Sequence, residues 1–142
     1  MTKAKTLSAE KLIRVRFSEV DSMGIVWHGS YPLYFEDARE EFGQKYHLEY
    51  MRMYDFGFYA PLVDLSFHFK RPIKHRDLIK VVATYKDSAA AKICFDYEIF
   101  NAETGELMAT GESTQVFLDH DYQLSWNIPD FFIEWKKLNG LL

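Results

Sequence analysis

A single cysteine, Cys94, leaves 142 residues without the means to form an internal disulfide. That excludes a disulfide-framed secreted scaffold and makes a reducing cytoplasm the expected compartment. Also missing is any apolar run of about 18 residues, so no membrane-spanning helix is expected. The opening MTKAKTLSAEKLIRV has no uninterrupted apolar core and does not read as a signal peptide. Positive charge is not in excess either. The formal net charge of −4 argues against nucleic acid as a partner of the whole chain. No Gly-x-Ser-x-Gly stretch occurs, against an α/β-hydrolase nucleophile. The five histidines lack metal-ligand spacing, so neither metal nor cofactor is expected.

What the chain has in quantity is aromatic surface. Phe, Tyr and Trp make up 17% of residues within a hydrophobic share of 48%. That load favours a packed core, an apolar pocket or a subunit interface over disorder. The length fits one domain spanning 1–142 with a core of useful size, and residues 1–10 read as a loose polar terminus.

Hydrophobic spacing then orders the chain. KLIRVRFS (11–18) alternates, with Ile13, Val15 and Phe17 on one face, and reads as a half-buried strand. Tyr31, Phe35, Ala38, Phe42 and Tyr46 form a stripe at helical period, with Glu36, Asp37, Arg39, Glu40 and Glu41 on the remaining surface. Pro32 fits only a first turn, so the helix begins close to Gly29–Tyr31 with Ser30 as N-cap. MRMYDFGFYAP is a connector, and VDLSFHFK, LIKVVATY, AKICFDYEIF and LMATGESTQVFL are strands. NAETGE supplies a hairpin turn, Gly111 marks a close approach, and NIPDFFIEWKKL is a docking segment opened by Pro129. One long helix and about five strands joined mainly by hairpins imply α+β, the helix lying on one face of an antiparallel sheet.

The stretch SEVDSMGIVWHGSYP (18–32) concentrates the chemistry. A helix start presents unpaired N–H groups and the positive end of the macrodipole, which can polarise a carbonyl oxygen. Asp21 lies seven residues before His28 across a turn-forming Ser-Met-Gly. A chain folding back there would bring a carboxylate to the same carbonyl, a minimal set for hydrolysing an activated acyl group. The pattern equally admits Asp21 as a turn residue bonding its own backbone and His28 as a packed core histidine. Glu36 and Glu40 read as solvated helix surface. Downstream, Lys70, Arg71, Lys74, His75 and Arg76 form a cationic cluster in an acidic chain, either a solvated turn or a grip for phosphate oxygens.

RVRFSEVDSMGIVWHGSYPLYFEDAREEF resembles the signature of the 4-hydroxybenzoyl-CoA thioesterase family, with Tol-Pal-associated acyl-CoA thioesterases as close relatives. Asp21, Gly24, Ile25, Val26, Trp27, His28 and Tyr31 fill its pattern in order. LSFHFKRPIKHRD and FDYEIFNAETGELMATGESTQVFLD continue the match, which spans roughly residues 11–130. The resemblance implies the hot-dog fold, a curved antiparallel sheet around one long central helix, and hydrolysis of an acyl-CoA thioester. It implies Asp21 as the catalytic carboxylate and the backbone N–H around His28 and Gly29 as the oxyanion site. The His28 side chain would orient water or the acyl group, and Tyr31 would be mainly architectural. Arg71, Lys74 and Arg76 would hold the coenzyme A phosphates, while Phe56, Phe58 and Tyr59 would line the acyl pocket of a short-to-medium or aromatic substrate. A homodimer or homotetramer is implied, with the site at the dimer interface and the last strands as pairing edge. Ser30 stands where many relatives carry Asn, and the helix acid of a second hot-dog lineage has only Glu36 and Glu40 as candidates. An acyl-carrier-protein thioesterase and a non-catalytic acyl-CoA-binding domain are the competing readings; the intact Asp21 motif ranks hydrolysis above the latter.

Overall fold

The computed structural model describes residues 6–142. The first strand, β1 (Ser8–Arg14), starts inside the stretch expected to be loose, and Leu7 just before it is fully buried. Residues 1–5 of that expectation lie outside the described residues. The strand also ends earlier than its alternation suggested. Arg16–Glu19 tightens into a 3₁₀ turn over Phe17–Glu19, so Phe17 turns outward at 79% exposure while Ile13 and Val15 stay buried.

A second 3₁₀ turn, His28–Ser30, runs into the long helix α1 (Tyr31–Tyr46), with Pro32 in its first turn. Tyr31, Phe35, Ala38 and Phe42 are buried as their spacing predicts. The expected polar surface is not wholly polar surface, however. Arg39 is 7% exposed, because it sits four residues after Phe35 and three before Phe42, on the same helical face. The stretch read as a connector holds a short helix, α2 (Tyr50–Asp55), and a two-residue strand, β2 (Phe58–Tyr59).

The remaining strands are β3 (Leu62–Phe69), β4 (Leu78–Lys86), β5 (Lys92–Asn101), β6 (Leu107–Val116) and β7 (Leu118–Asp119), followed by α3 (Asp130–Leu138). Five of them form one antiparallel sheet in the order β1-β4-β5-β6-β3, and β2 pairs with β7. Ile79, Val81, Ala83, Ile93, Phe95, Tyr97, Ile99 and Ala109 turn their alternate positions inward against α1. Phe35 stacks on Tyr97 with ring centroids 4.5 Å apart. Gly111 permits this approach: a Cβ there would lie 2.8 Å from Phe35 Cζ and 3.0 Å from the Ser66 carbonyl oxygen. This is the α+β wrap of sheet around one helix that the sequence implied.

The pairing edge differs from expectation. The last long strands, β5 and β6, lie inside the sheet; its free edges are β1 and β3. Charged Glu10, Lys11 and Arg14 blunt β1, whereas β3 exposes Leu62, Val63 and Phe69.

Candidate active site

The head of α1 is fixed from below by Glu19. Its backbone carbonyl accepts the Ser30 hydroxyl at 3.0 Å and the Trp27 N–H at 3.3 Å. Ser30 thus occupies the N-cap position without capping through its side chain, tying the helix to the preceding turn instead. The Glu19 carboxylate is itself held by the Arg16 N–H (2.8 Å), the Arg16 guanidinium (3.1 Å) and the Tyr34 hydroxyl (3.1 Å). Burial first, and the neighbouring Glu19 second, push the Tyr34 hydroxyl pKa well above its ordinary value. Sequence reasoning missed this anchor. Its signal was Arg-x-x-Glu just ahead of the motif, a reciprocal cap for the short turn.

Asp21 occupies a tight reversal. Its N–H donates to the Ile25 carbonyl (2.8 Å) and its carbonyl accepts from Gly24 N–H (3.0 Å), with Gly24 at φ +76°. Its Oδ1 accepts the Met23 N–H at 2.8 Å, the local turn bond that the pattern allowed. Among the described residues Oδ2 has no partner. Ile25 bridges to Lys74 and the Val26 N–H donates to the Ile73 carbonyl, which lashes this reversal to the basic turn.

Asp21, Trp27, His28, Tyr31, Lys70 and Arg71 meet around one open cavity of about 390 Å³, also lined by Phe69 and Pro72. His28 is exposed rather than packed in the core, its ring edge-on to Trp27 at 5.2 Å. His28 and Gly29 open the 3₁₀ turn, and among the described residues no acceptor takes either N–H. A carboxylate, two cations and His28, whose N–H is free, around one hollow can polarise a carbonyl, activate water and hold an anionic handle. The Trp27 ring lies directly over Gly29, where any Cβ would collide with it.

Of the other expected site residues, Arg71 lines this cavity and the rest fall elsewhere. Arg71 pairs with Glu106 at 2.9 Å, so part of its charge is already met. Lys74 and Arg76 do not line the cavity; Arg76 takes a left-handed φ of 71° and its carbonyl accepts from Arg14 (2.9 Å). Phe56 stacks on Phe131 at 5.2 Å, Phe58 packs on Phe117, and Tyr59 stacks on Tyr122. None of these three meets Asp21 within one chain. Two further cavities, of about 340 Å³ and 630 Å³, lie along α1–α2 and between α2 and α3. The second is the larger, yet it holds no residue of the Asp21 motif.

Comparison with known proteins identifies the family and supports the fold. A family model described as Thioesterase-like superfamily covers residues 15–136. A Bacillus subtilis protein provisionally named an acyl-CoA thioesterase is 28% identical over 133 residues, 91% of this chain and 96% of its own. A 1,4-dihydroxy-2-naphthoyl-CoA hydrolase from Synechocystis is 29% identical over 104 residues, 72% of this chain and 75% of the other. Among solved structures, a DHNA-CoA thioesterase from Staphylococcus aureus superposes with a TM-score of 0.82 at 29% identity, covering 94% of this chain and 92% of that one.

Proposed function

Since the chain belongs to the Thioesterase-like superfamily, we propose that it hydrolyses acyl-CoA thioesters to the free acid and coenzyme A. The observation that carries the reading is the cavity at the head of α1, where Asp21 shares a hollow with His28 and Arg71. The thioester carbonyl oxygen accepts the His28 and Gly29 N–H groups, whose strength grows as the carbonyl becomes an oxyanion. The Asp21 carboxylate takes a proton from the attacking water, or attacks the carbonyl itself and is released by water. The C–S bond breaks, and the coenzyme A thiolate leaves and is protonated from solvent. Lys70 and Arg71 at the cavity rim meet the phosphates of the leaving group, with Lys74 and Arg76 further along the same turn.

Two copies pair through β3 in this reading. An antiparallel two-fold sets the Leu62 end of one strand against the Phe69 end of the other, with both α1 helices on the same sheet face. Tyr31 touches Phe69 (ring centroids 4.9 Å), so the Asp21 cavity sits at one end of β3. Gln115, opposite Leu62, lines the 340 Å³ cavity at the other end. Pairing therefore brings the Asp21 cavity of one copy to the α1–α2 cavity of the second, which supplies acyl-group walls that a single chain lacks. A free Cys94 suits a reducing cytoplasm.

Asp21→Asn keeps the Oδ1 acceptor for Met23 and so keeps the turn. It should lower kcat by about 10²–10⁴ in a thiol-release assay over a panel of acyl-CoAs, with the unfolding midpoint unchanged. Activity within a few-fold of the parent sinks the assignment. Faster turnover on acyl-carrier protein than on coenzyme A with the same acyl group would move the substrate to the carrier.

A further inference from the structure

Arg39 is a cation buried without an anion. It is 7% exposed, and among the described residues no carboxylate lies within ion-pair distance of it. Its Nε donates to the Tyr50 hydroxyl (3.1 Å) and its Nη1 to the Tyr97 hydroxyl (2.9 Å), which in turn shares a 2.6 Å bond with Ser113. Burying a charge on neutral partners alone is costly unless something else meets it. Nη2 has no partner among the described residues. Since no fully sealed side-chain nitrogen or oxygen is left unpaired, Nη2 reaches open space. That space is the 340 Å³ cavity under α1 and α2, where Arg39 and Gln115 form a polar floor between walls of Phe42, Met53, Ile93 and Phe95.

We propose that this cavity is a polar subsite for the far end of the acyl group, in which Arg39 Nη2 donates to a neutral hydroxyl or carbonyl oxygen. The inference rests on the acyl-CoA reading and on pairing through β3, which brings this cavity to the Asp21 cavity of the other copy. The apolar walls take the hydrocarbon or ring, and a guanidinium with free N–H groups at the floor takes an acceptor. A neutral oxygen fits better than a carboxylate because exposed Glu36, Glu40 and Glu49 ring the mouth and repel an entering anion. Tyr50 and Tyr97 hold the guanidinium plane in place, so the donor is aimed before the substrate arrives. A site built to meet such an oxygen penalises an analogue without it, whose entry leaves the buried donor unpaired.

The test compares kcat/KM for acyl-CoA pairs that differ by one oxygen: hydroxybenzoyl- against benzoyl-CoA, ω-hydroxyoctanoyl- against octanoyl-CoA, and the matching ω-carboxy chain. The parent should prefer at least one oxygenated member tenfold or more, and should not prefer the carboxylate. Arg39→Met should bring that ratio to within about twofold of one, and Arg39→Lys should restore part of it. Tyr50 is 44% exposed. Tyr50→Phe therefore keeps the test decisive if the Arg39 variants fail to fold, and should lower the ratio several-fold. The ratio is the readout because a merely structural arginine would lower both rates together. A parent ratio near one for both pairs, a ratio unmoved by these substitutions, or a preference for the carboxylate overturns the subsite. If no acyl-CoA is hydrolysed, the activity reading has failed separately, and the same pairs measured by calorimetric binding judge the subsite.

Discussion

Replacing Glu19 tests whether the turn at the head of α1 is held by a hydrogen-bonded anchor or by charge. Glu19→Ala orphans the hydroxyl of Tyr34, which is 1% exposed; an unsatisfied buried hydroxyl costs about 1–3 kcal/mol. It also removes the acceptor for the Arg16 N–H, a cap-type bond of about 0.5–2 kcal/mol. The ion pair adds little, about 0–1 kcal/mol, because the Arg16 side chain is 71% exposed. Glu19→Ala should therefore cost about 2–4 kcal/mol in all. Glu19→Gln can keep an oxygen at the Oε1 position, where both the Arg16 N–H and the Tyr34 hydroxyl are bound, and loses only the exposed pair. Its cost should be about 1 kcal/mol or less. Urea unfolding followed by fluorescence reads the difference as a midpoint fall of about 1–2 M for Ala against about 0.5 M or less for Gln, at unchanged slope. Tyr34→Phe removes the orphaned hydroxyl, so in the Glu19→Ala background it should be nearly free or stabilising, a clear departure from additivity. Since the Glu19 carbonyl carries Ser30 and Trp27, kcat/KM should follow the same order, Ala lowest. Equal losses for Gln and Ala, or an additive double variant, would refute the reasoning.

Pairing through β3 predicts that Val63→Lys, a charge set on the exposed edge, yields a monomer by sedimentation velocity with activity lost in proportion; a dimer that survives the substitution removes β3 as the interface. At high pH the buried tyrosines should limit stability. Burial is the first cause that raises the Tyr34 and Tyr85 hydroxyl pKa above the ordinary 10.0, aided by Glu19 and Asp87 respectively. Above pH 10 the unfolded chain loses these protons while the folded chain keeps them. Stability is thus complete below pH 10 and falls as pH rises beyond it, by about 1.4 kcal/mol per unit for each such tyrosine. Tyr85→Phe should flatten the fall in urea midpoint above pH 10 by one proton's share; an unchanged slope would show that the hydroxyl ionises freely in the folded state.

The sequence carried the long helix and inner strands because burial on one face leaves a clean period: the Tyr31–Phe42 stripe and the Ile93–Ile99 alternation both match the observed core. Period failed where the backbone changed course. Phe17 continues the alternation of Ile13 and Val15, but the Arg16–Glu19 cap curls the chain before it and sends the ring to solvent. Composition also hid Arg39, because a charged residue among Glu and Asp reads as surface. Only its place on the Phe35–Phe42 face marked it, and only tertiary structure supplies Tyr50 and Tyr97 to receive it. The candidate site was half legible. The motif pointed to Asp21 and His28, which share one cavity, whereas Phe56, Phe58 and Tyr59 follow the helix in sequence but pack against α3 and the β7 end of the chain.

Asp21 admits two descriptions, a turn residue and the proposed catalytic carboxylate, and the geometry is compatible with both at once. The Met23 N–H occupies Oδ1 and fixes the carboxylate by a bond two residues away, so the side chain is not free to swing into solvent. The same bond leaves Oδ2 as the oxygen available to a water or a thioester carbon. A carboxylate with both oxygens tied would be a weaker base, and one with neither tied would sample many rotamers and seldom meet the substrate in a reactive pose. The turn's glycine serves that arrangement too: Gly24 at φ +76° lets the chain reverse tightly enough for Ile25 and Val26 to return beside the basic turn. The local turn bond is therefore the means by which an acid on a loop is held rigid at the mouth of α1. An Asp21→Ser variant separates the two parts, since a serine hydroxyl can still accept the Met23 N–H but cannot act as a base. Retained stability with kcat lost is the outcome that requires the second oxygen.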